Sequence, residues 1–142
     1  MPNQPYYDSV EIGQELPVLE KHPSTRQLVK YAGASGDFYE IHYDLEFART
    51  TGLEGVIIHG ALKNAFLAQI VTDWMGPAGR LKKLSVQYRG MDIPGDLLKI
   101  KGEVAEKWHA DGENLVRCTL SLENHNGDKT TTGEAVVSLP TE

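Results

Sequence analysis

Asp37 and His42 are the two residues whose types and spacing most suit proton transfer, a carboxylate and an imidazole in the run Tyr31-Ala32-Gly33-Ala34-Ser35-Gly36-Asp37-Phe38-Tyr39-Glu40-Ile41-His42-Tyr43-Asp44. On one continuous helix side chains five positions apart would point about 140° apart, from its 3.6-residue turn, so they could not converge. Gly36 just before Asp37 and a helix cap at Asp44 just after His42 predict instead a loop or broken turn that lets the two approach. The alternative is that Asp37 caps a turn and His42 packs against it, and spacing alone leaves both open.

A second element is Gly55-Val56-Ile57-Ile58-His59-Gly60, an apolar run leading into an apolar helix. Backbone N–H groups at a helix start lack partners and carry partial positive charge, which suits a carbonyl oxygen that gains negative charge during a reaction. Gly60 at that junction admits close approach to its backbone, so its N–H is a candidate oxyanion donor, with plain helix-entry geometry as the alternative. His59 could line a pocket or serve as a structural hydrogen-bonding residue.

These residues need elements to position them. Ala61 to Trp74 is the strongest predicted helix: Leu62, Phe66, Gln69, Ile70 and Asp73 recur near a 3.6 period, with Ala61, Ala65 and Ala68 on a neighbouring stripe that could lie close to a sheet. Gly76-Pro77 ends it. Upstream, Ser24 to Ala34 is a predicted helix capped by Ser24 or Thr25, and Asp44 to Thr50 another capped by Asp44.

The second half of the chain alternates apolar and polar residues. Leu84, Val86 and Tyr88 come first, then Leu98, Ile100 and Val104, then Val116, Cys118, Leu120 and Leu122, then Ala135, Val137 and Leu139. Turn signals separate them at Ile93-Pro94-Gly95-Asp96, Asp111-Gly112 and Asn126-Gly127. These predict antiparallel strands, with one more strand or an extended arm around Val10 to Val18. The class is α+β, a sheet with one face covered by helices.

Composition narrows the function. A chain of 142 residues with 40% apolar content can bury one core, so one domain over residues 1-142 is expected. A net charge of -6 argues against a nucleic-acid binder. No apolar run approaches the roughly 20 residues that span a bilayer, and Met1 to Pro17 lacks a leader pattern, so a cytoplasmic, soluble protein with no membrane partner is expected. Cys118 is the only cysteine, which leaves no internal disulfide and no cysteine-based metal site.

Ser35-Gly36-Asp37-Phe38, Ile41-His42-Tyr43-Asp44, Phe47-Ala48 and Val56-Ile57-Ile58-His59-Gly60 together resemble the signature region of the MaoC-like, (R)-specific enoyl-CoA hydratases. The resemblance implies a hot-dog fold, a long central helix wrapped by a curved antiparallel sheet. It implies Asp37 and His42 as the pair that activates water, and Gly60 as the donor that polarises a thioester carbonyl. The implied reaction is reversible hydration of a trans-2-enoyl thioester carried on coenzyme A or an acyl-carrier protein, with no metal and no redox cofactor. The chain departs from the family pattern at Tyr39-Glu40 (usually Asn-Pro), at Ala61 (usually Met) and at Ala68 (often Ser).

Candidate walls of the acyl-CoA pocket are Ile58, Tyr39, Leu62, Phe66 and Tyr88, with His59 beside Gly60. A homodimer or higher homo-oligomer is the expected assembly, and a hetero-oligomer with another MaoC-like chain is the alternative. Two other functions compete: a subunit that binds acyl-CoA without turnover, motivated by the departures, and a thioesterase. The thioesterase reading needs a carboxylate from the long helix or from a partner subunit, and the long helix offers only Asp73, far from Gly60.

Overall fold

The computed structural model describes residues 3–142, so the first two residues of the expected domain lie outside the described residues. Three helices, α1 (Thr25–Ser35), α2 (Leu45–Thr50) and α3 (Gly60–Trp74), accompany five strands, β1 (Leu19–Lys21), β2 (Arg80–Tyr88), β3 (Leu98–Ala110), β4 (Glu113–Glu123) and β5 (Lys129–Ser138). The strands form one antiparallel sheet in the order β1-β3-β4-β5-β2, curled around α3. This is the hot-dog architecture, α+β as expected.

Strands β3, β4 and β5 form the meander that the turn signals predict. Asp111 and Gly112 both take positive φ, 53° and 76°, the backbone of a tight hairpin that matches strand twist. The strand before it does something the turn signals did not indicate. β2 pairs with β5, not with β3, so the Ile93-Pro94-Gly95-Asp96 segment belongs to a connection that crosses the end of the sheet. Register shifts between Leu81 and Lys83 and between Val104 and Glu106 mark bulges, which add the local bend a wrapped sheet needs.

The inward faces of the strands carry the alternation read from the sequence: Leu98, Ile100, Val104, Val116, Cys118, Leu122, Ala135 and Val137 are fully buried. Facing them on α3 are Leu62, Phe66, Leu67, Ile70 and Val71, joined into one core. The predicted alanine contact is not what packs. Ala61 and Ala65 are exposed and Ala68 is half-buried, because the curled sheet encloses the larger side chains of α3.

The N-terminal segment runs as an extended arm beside β3, with Gly13 and Leu16 N–H groups donating to the Val104 and Gly102 carbonyls and a single bridge pairing Glu15 with Glu103. The regular strand begins only at Leu19, beyond the stretch expected, since Pro17 has no N–H to extend the ladder.

Candidate active site

Helix α1 begins where Ser24 Oγ accepts from the Gln27 N–H at 3.1 Å, a cap worth about 1 kcal/mol. It ends at Gly36, whose φ of 78° is left-handed and whose N–H closes on the Ala32 carbonyl. That left-handed residue turns the chain out of the helix, so Asp37 starts a loop. One 3-10 turn, Glu40–His42, follows, and Asp44 then caps α2 by accepting from the Phe47 N–H at 3.0 Å. The broken path brings Asp37 Oδ2 to 3.9 Å from His42 Nε2.

The Asp37 side chain remains 44% exposed, while that of His42 is 8% exposed. Asp37 Oδ1 accepts from the Tyr39 N–H at 3.4 Å in a local turn while Oδ2 faces the imidazole, so the turn and the approach of the two side chains coexist.

The tautomer of His42 follows from its partner. Nδ1 lies 2.7 Å from the Ile57 carbonyl oxygen, which can only accept, so Nδ1 carries the proton and Nε2 of the neutral ring is bare. Two acceptors, Nε2 and the carboxylate, therefore face each other at a distance too long for a hydrogen bond. A donor between them satisfies both. A water placed at ordinary hydrogen-bond lengths spans about 4.4 Å between its two acceptors, close to the observed gap.

His59 sits behind this pair. Its ring stacks on His42 with centroids 3.8 Å apart, and Tyr31 meets it in an edge-on arrangement at 4.8 Å. Nε2 donates to the Asp37 carbonyl at 3.3 Å, and Nδ1 is buried without a partner. Burial first, and the neighbouring His42 second, hold its pKa below the usual 6.5, with Asp37 opposing in part. A neutral His59 thus fixes the backbone of the residue whose carboxylate faces His42.

Asp37, His42 and His59 each offer a ligand atom within a 4.8 Å group. Rings only 20° from parallel and stacked 3.8 Å apart do not aim their in-plane lone pairs at one point, so the arrangement fits a water better than an ion.

Gly60 and Ala61, the first residues of α3, have no preceding helical carbonyl for their N–H groups. Tyr88, at the end of β2, lies over Gly60, with its Cζ 3.2 Å from where a Cβ on Gly60 would stand. Of the residues expected to contact substrate, Gly60 is half-buried, and Tyr39 and Tyr88 are 50% and 54% exposed. Ile58, His59 and Leu62 are not at the surface of this chain. They are 3%, 0% and 6% exposed, because Ile58 and Leu62 point into the core and His59 is closed in by Tyr31 and His42. Asp73 lies at the far end of α3, about 20 Å from Gly60 at 1.5 Å per residue, and is exposed.

Sequence reasoning missed a buried group beside Gly60. Lys63 and Asp92, 2% and 3% exposed, pair at 2.9 Å, and Thr130 Oγ1 donates to the same Asp92 oxygen at 2.6 Å. The signal for Lys63 was present, since it precedes Phe66, Leu67 and Ile70 at helical spacing on the buried face. Asp92, in an irregular connection, offers no comparable pattern.

A hot-dog domain with a carboxylate and an imidazole converging beside the start of its central helix defines a class of acyl-thioester fold. The chain belongs to the MaoC-like domain family, whose model matches residues 7–126. It is 28% identical over 133 residues to the (R)-specific enoyl-CoA hydratase of Aeromonas caviae, covering 93% of this chain and 97% of that one. Its structure is similar to R-hydratase PhaJ1 from Pseudomonas aeruginosa in the unliganded form, with a TM-score of 0.86, 31% identity, and coverage of 96% of this chain and 86% of that one. It is also similar to a chain of the ChsH1-ChsH2 complex from Mycobacterium tuberculosis, with a TM-score of 0.80, 25% identity, and coverage of 91% and 98%. The chain spans only 4% and 6% of the fatty acid synthase beta subunits TOXC of Cochliobolus carbonum and hexB of Dothistroma septosporum that it also matches.

Proposed function

We propose that this protein catalyses the reversible addition of water to a trans-2-enoyl thioester, as an enoyl-CoA hydratase. The observation that carries the reading is His42, its ring held at Nδ1 by the Ile57 carbonyl at 2.7 Å and its Nε2 facing Asp37 Oδ2 at 3.9 Å. A water donating to both acceptors is held and polarised at once. As its oxygen bonds to Cβ, one proton passes to the pair and the C=C electrons move toward the thioester oxygen. Gly60 N–H stabilises that oxygen, and the pair returns a proton to Cα, which leaves one water added overall. Asp37 and His42 are the catalytic residues in this scheme, and Tyr39 and Tyr88 flank the substrate.

The likeness to the Aeromonas caviae hydratase and to PhaJ1 supports this chemistry. Hydrolysis is disfavoured, because the one carboxylate on α3 is remote from Gly60. Carriage of the substrate on coenzyme A is taken from the same relatives, and no metal or redox cofactor enters the scheme.

A second MaoC-like chain is the expected partner. Phe38, Tyr39, Tyr43, Leu45, Tyr88 and Met91, the large apolar residues in sequence around the site, are 42 to 64% exposed, and β2 is an open sheet edge. The ChsH1-ChsH2 likeness keeps a hetero-oligomer beside the homodimer. Sedimentation of the purified chain tests this: a monomer at micromolar concentration would point to a different subunit as the cover. Among the described residues no helix is long and apolar enough to cross a membrane.

The deciding experiment follows loss of enoyl-thioester absorbance with crotonyl-CoA and with longer and branched trans-2-enoyl-CoAs, with Asp37→Asn as control. Hydration that disappears in the variant is expected. Absence of turnover across the panel, with acyl-CoA still bound, would replace the enzyme by a binding subunit.

A further inference from the structure

We propose that Lys63 and Asp92 are positioning residues for the oxyanion donor, holding the Gly60 N–H and Tyr88 in place relative to the Asp37–His42 pair. This inference rests on the hydratase reading. Lys63 Nζ donates to Asp92 Oδ2 at 2.9 Å and to the Gly90 carbonyl at 2.8 Å. Stability alone gives little reason for such a pair. A cation in the first turns of a helix opposes the helix dipole, and an ion pair taken out of water is often no more stabilising than apolar side chains of equal volume.

The connections of the pair give it a second use. The Asp92 carbonyl accepts from the Ile58 N–H at 2.8 Å, two residues before Gly60. On its other side the same stretch is held by the Ile57 N–H to the Ile41 carbonyl at 3.1 Å and by His42 Nδ1 to the Ile57 carbonyl at 2.7 Å. The approach to Gly60 is thus strung between the loop that carries His42 and the loop that carries Asp92. Lys63 ties that second loop to α3 itself. By holding Gly90 it also fixes the chain two residues after Tyr88, and its Nζ lies 5.8 Å from the centre of the Tyr88 ring that covers Gly60. One ammonium therefore links the helix whose N–H would meet the thioester oxygen to both segments that border it.

The test is Lys63→Met/Asp92→Asn in the full chain, a neutral replacement that avoids leaving one buried charge unpaired. In hydration assays kcat is expected to fall roughly tenfold to a hundredfold while KM changes less than about threefold, as for a donor displaced from the transition state. Amide exchange at Ile58 is expected to quicken about tenfold, with the bond to Asp92 loosened.

Thr130→Val, which removes only the hydroxyl bonded to Asp92, should give a smaller fall in kcat of the same kind, and it decides the matter if the double variant does not fold. Wild-type kcat in the folded double variant, or in Thr130→Val when the double variant is unfolded, overturns the proposal. A wild-type protein that hydrates no enoyl-CoA defeats the hydratase reading instead. Exchange at Ile58 then still tests the positioning, and unchanged protection would overturn it.

Discussion

The rings of His42 and His59 stack with their planes 20° apart and their centroids separated by 3.8 Å, one ring facing Asp37's carboxylate and the other bonded to its carbonyl. The stack joins the two sequence motifs that lie on either side of α2. It also sets them different electrostatic tasks, because burial beside His42 keeps His59 neutral.

The depressed pKa of His59 has a consequence for stability. The unfolded chain, with an ordinary imidazole pKa of 6.5, binds this proton more readily than the folded one. Stability is therefore fully present above about pH 6.5 and is lost as the pH falls from there toward the lower folded value. The thermal midpoint of wild type should drop more steeply from about pH 7 to about pH 5.5 than that of His59→Gln. Parallel slopes would remove His59 as the source.

Asp37→Asn should separate chemistry from folding. The side chain is 44% exposed, so the stability change is expected to stay within about 0.5 kcal/mol. Turnover should fall roughly 10² to 10⁴-fold, the usual reach of a lost acid-base group. A variant with wild-type kcat would move the catalytic role away from this carboxylate.

At Gly60 a single methyl should act as a probe of the oxyanion donor. In Gly60→Ala the new Cβ stands 3.2 Å from Tyr88 Cζ, and the half-exposed Tyr88 ring can yield, so the protein should fold. The methyl obstructs approach to the N–H, and kcat should fall on the order of 10² to 10³-fold. Adding Tyr88→Ala should not restore it. Recovery in the double variant would mean that displacement of Tyr88, and not the blocked donor, caused the loss.

Cys118 faces the core and its thiol pKa is pushed up to about 12 by burial. The folded protein should leave a disulfide-exchange reagent unreacted over minutes and release one equivalent of colour only in denaturant. Rapid reaction in the native state would show that β4 opens locally. An unreactive Cys118 also makes thiol release a clean readout for any hydrolysis of acyl-CoA.

Much of the fold was legible because local chemistry and tertiary packing agree. The hairpin at Asp111-Gly112 needs positive φ at both positions, and the alternation from Leu98 to Val137 already sorts the inner face from the outer. The caps at Ser24 and Asp44 are side-chain bonds to N–H groups three residues on, which depend on no distant partner. The place of β2 beside β5 was not legible, because strand order depends on how a curled sheet closes around α3. The strand pattern of Leu84, Val86 and Tyr88 would look the same beside either neighbour.

The site divides along the same line. Sequence by itself indicated that Asp37 and His42 could converge only off a continuous helix, that Gly36 and Asp44 favour a break in the path between them, and that Gly60 would open an apolar helix. Tertiary structure alone decided that His42 turns Nδ1 to Ile57, that His59 is buried behind it, and that Lys63 finds Asp92. The first set follows from backbone preferences acting over a few residues. The second requires groups separated by 15, 22 and 29 positions to meet, and only burial of a common core brings them within hydrogen-bond reach.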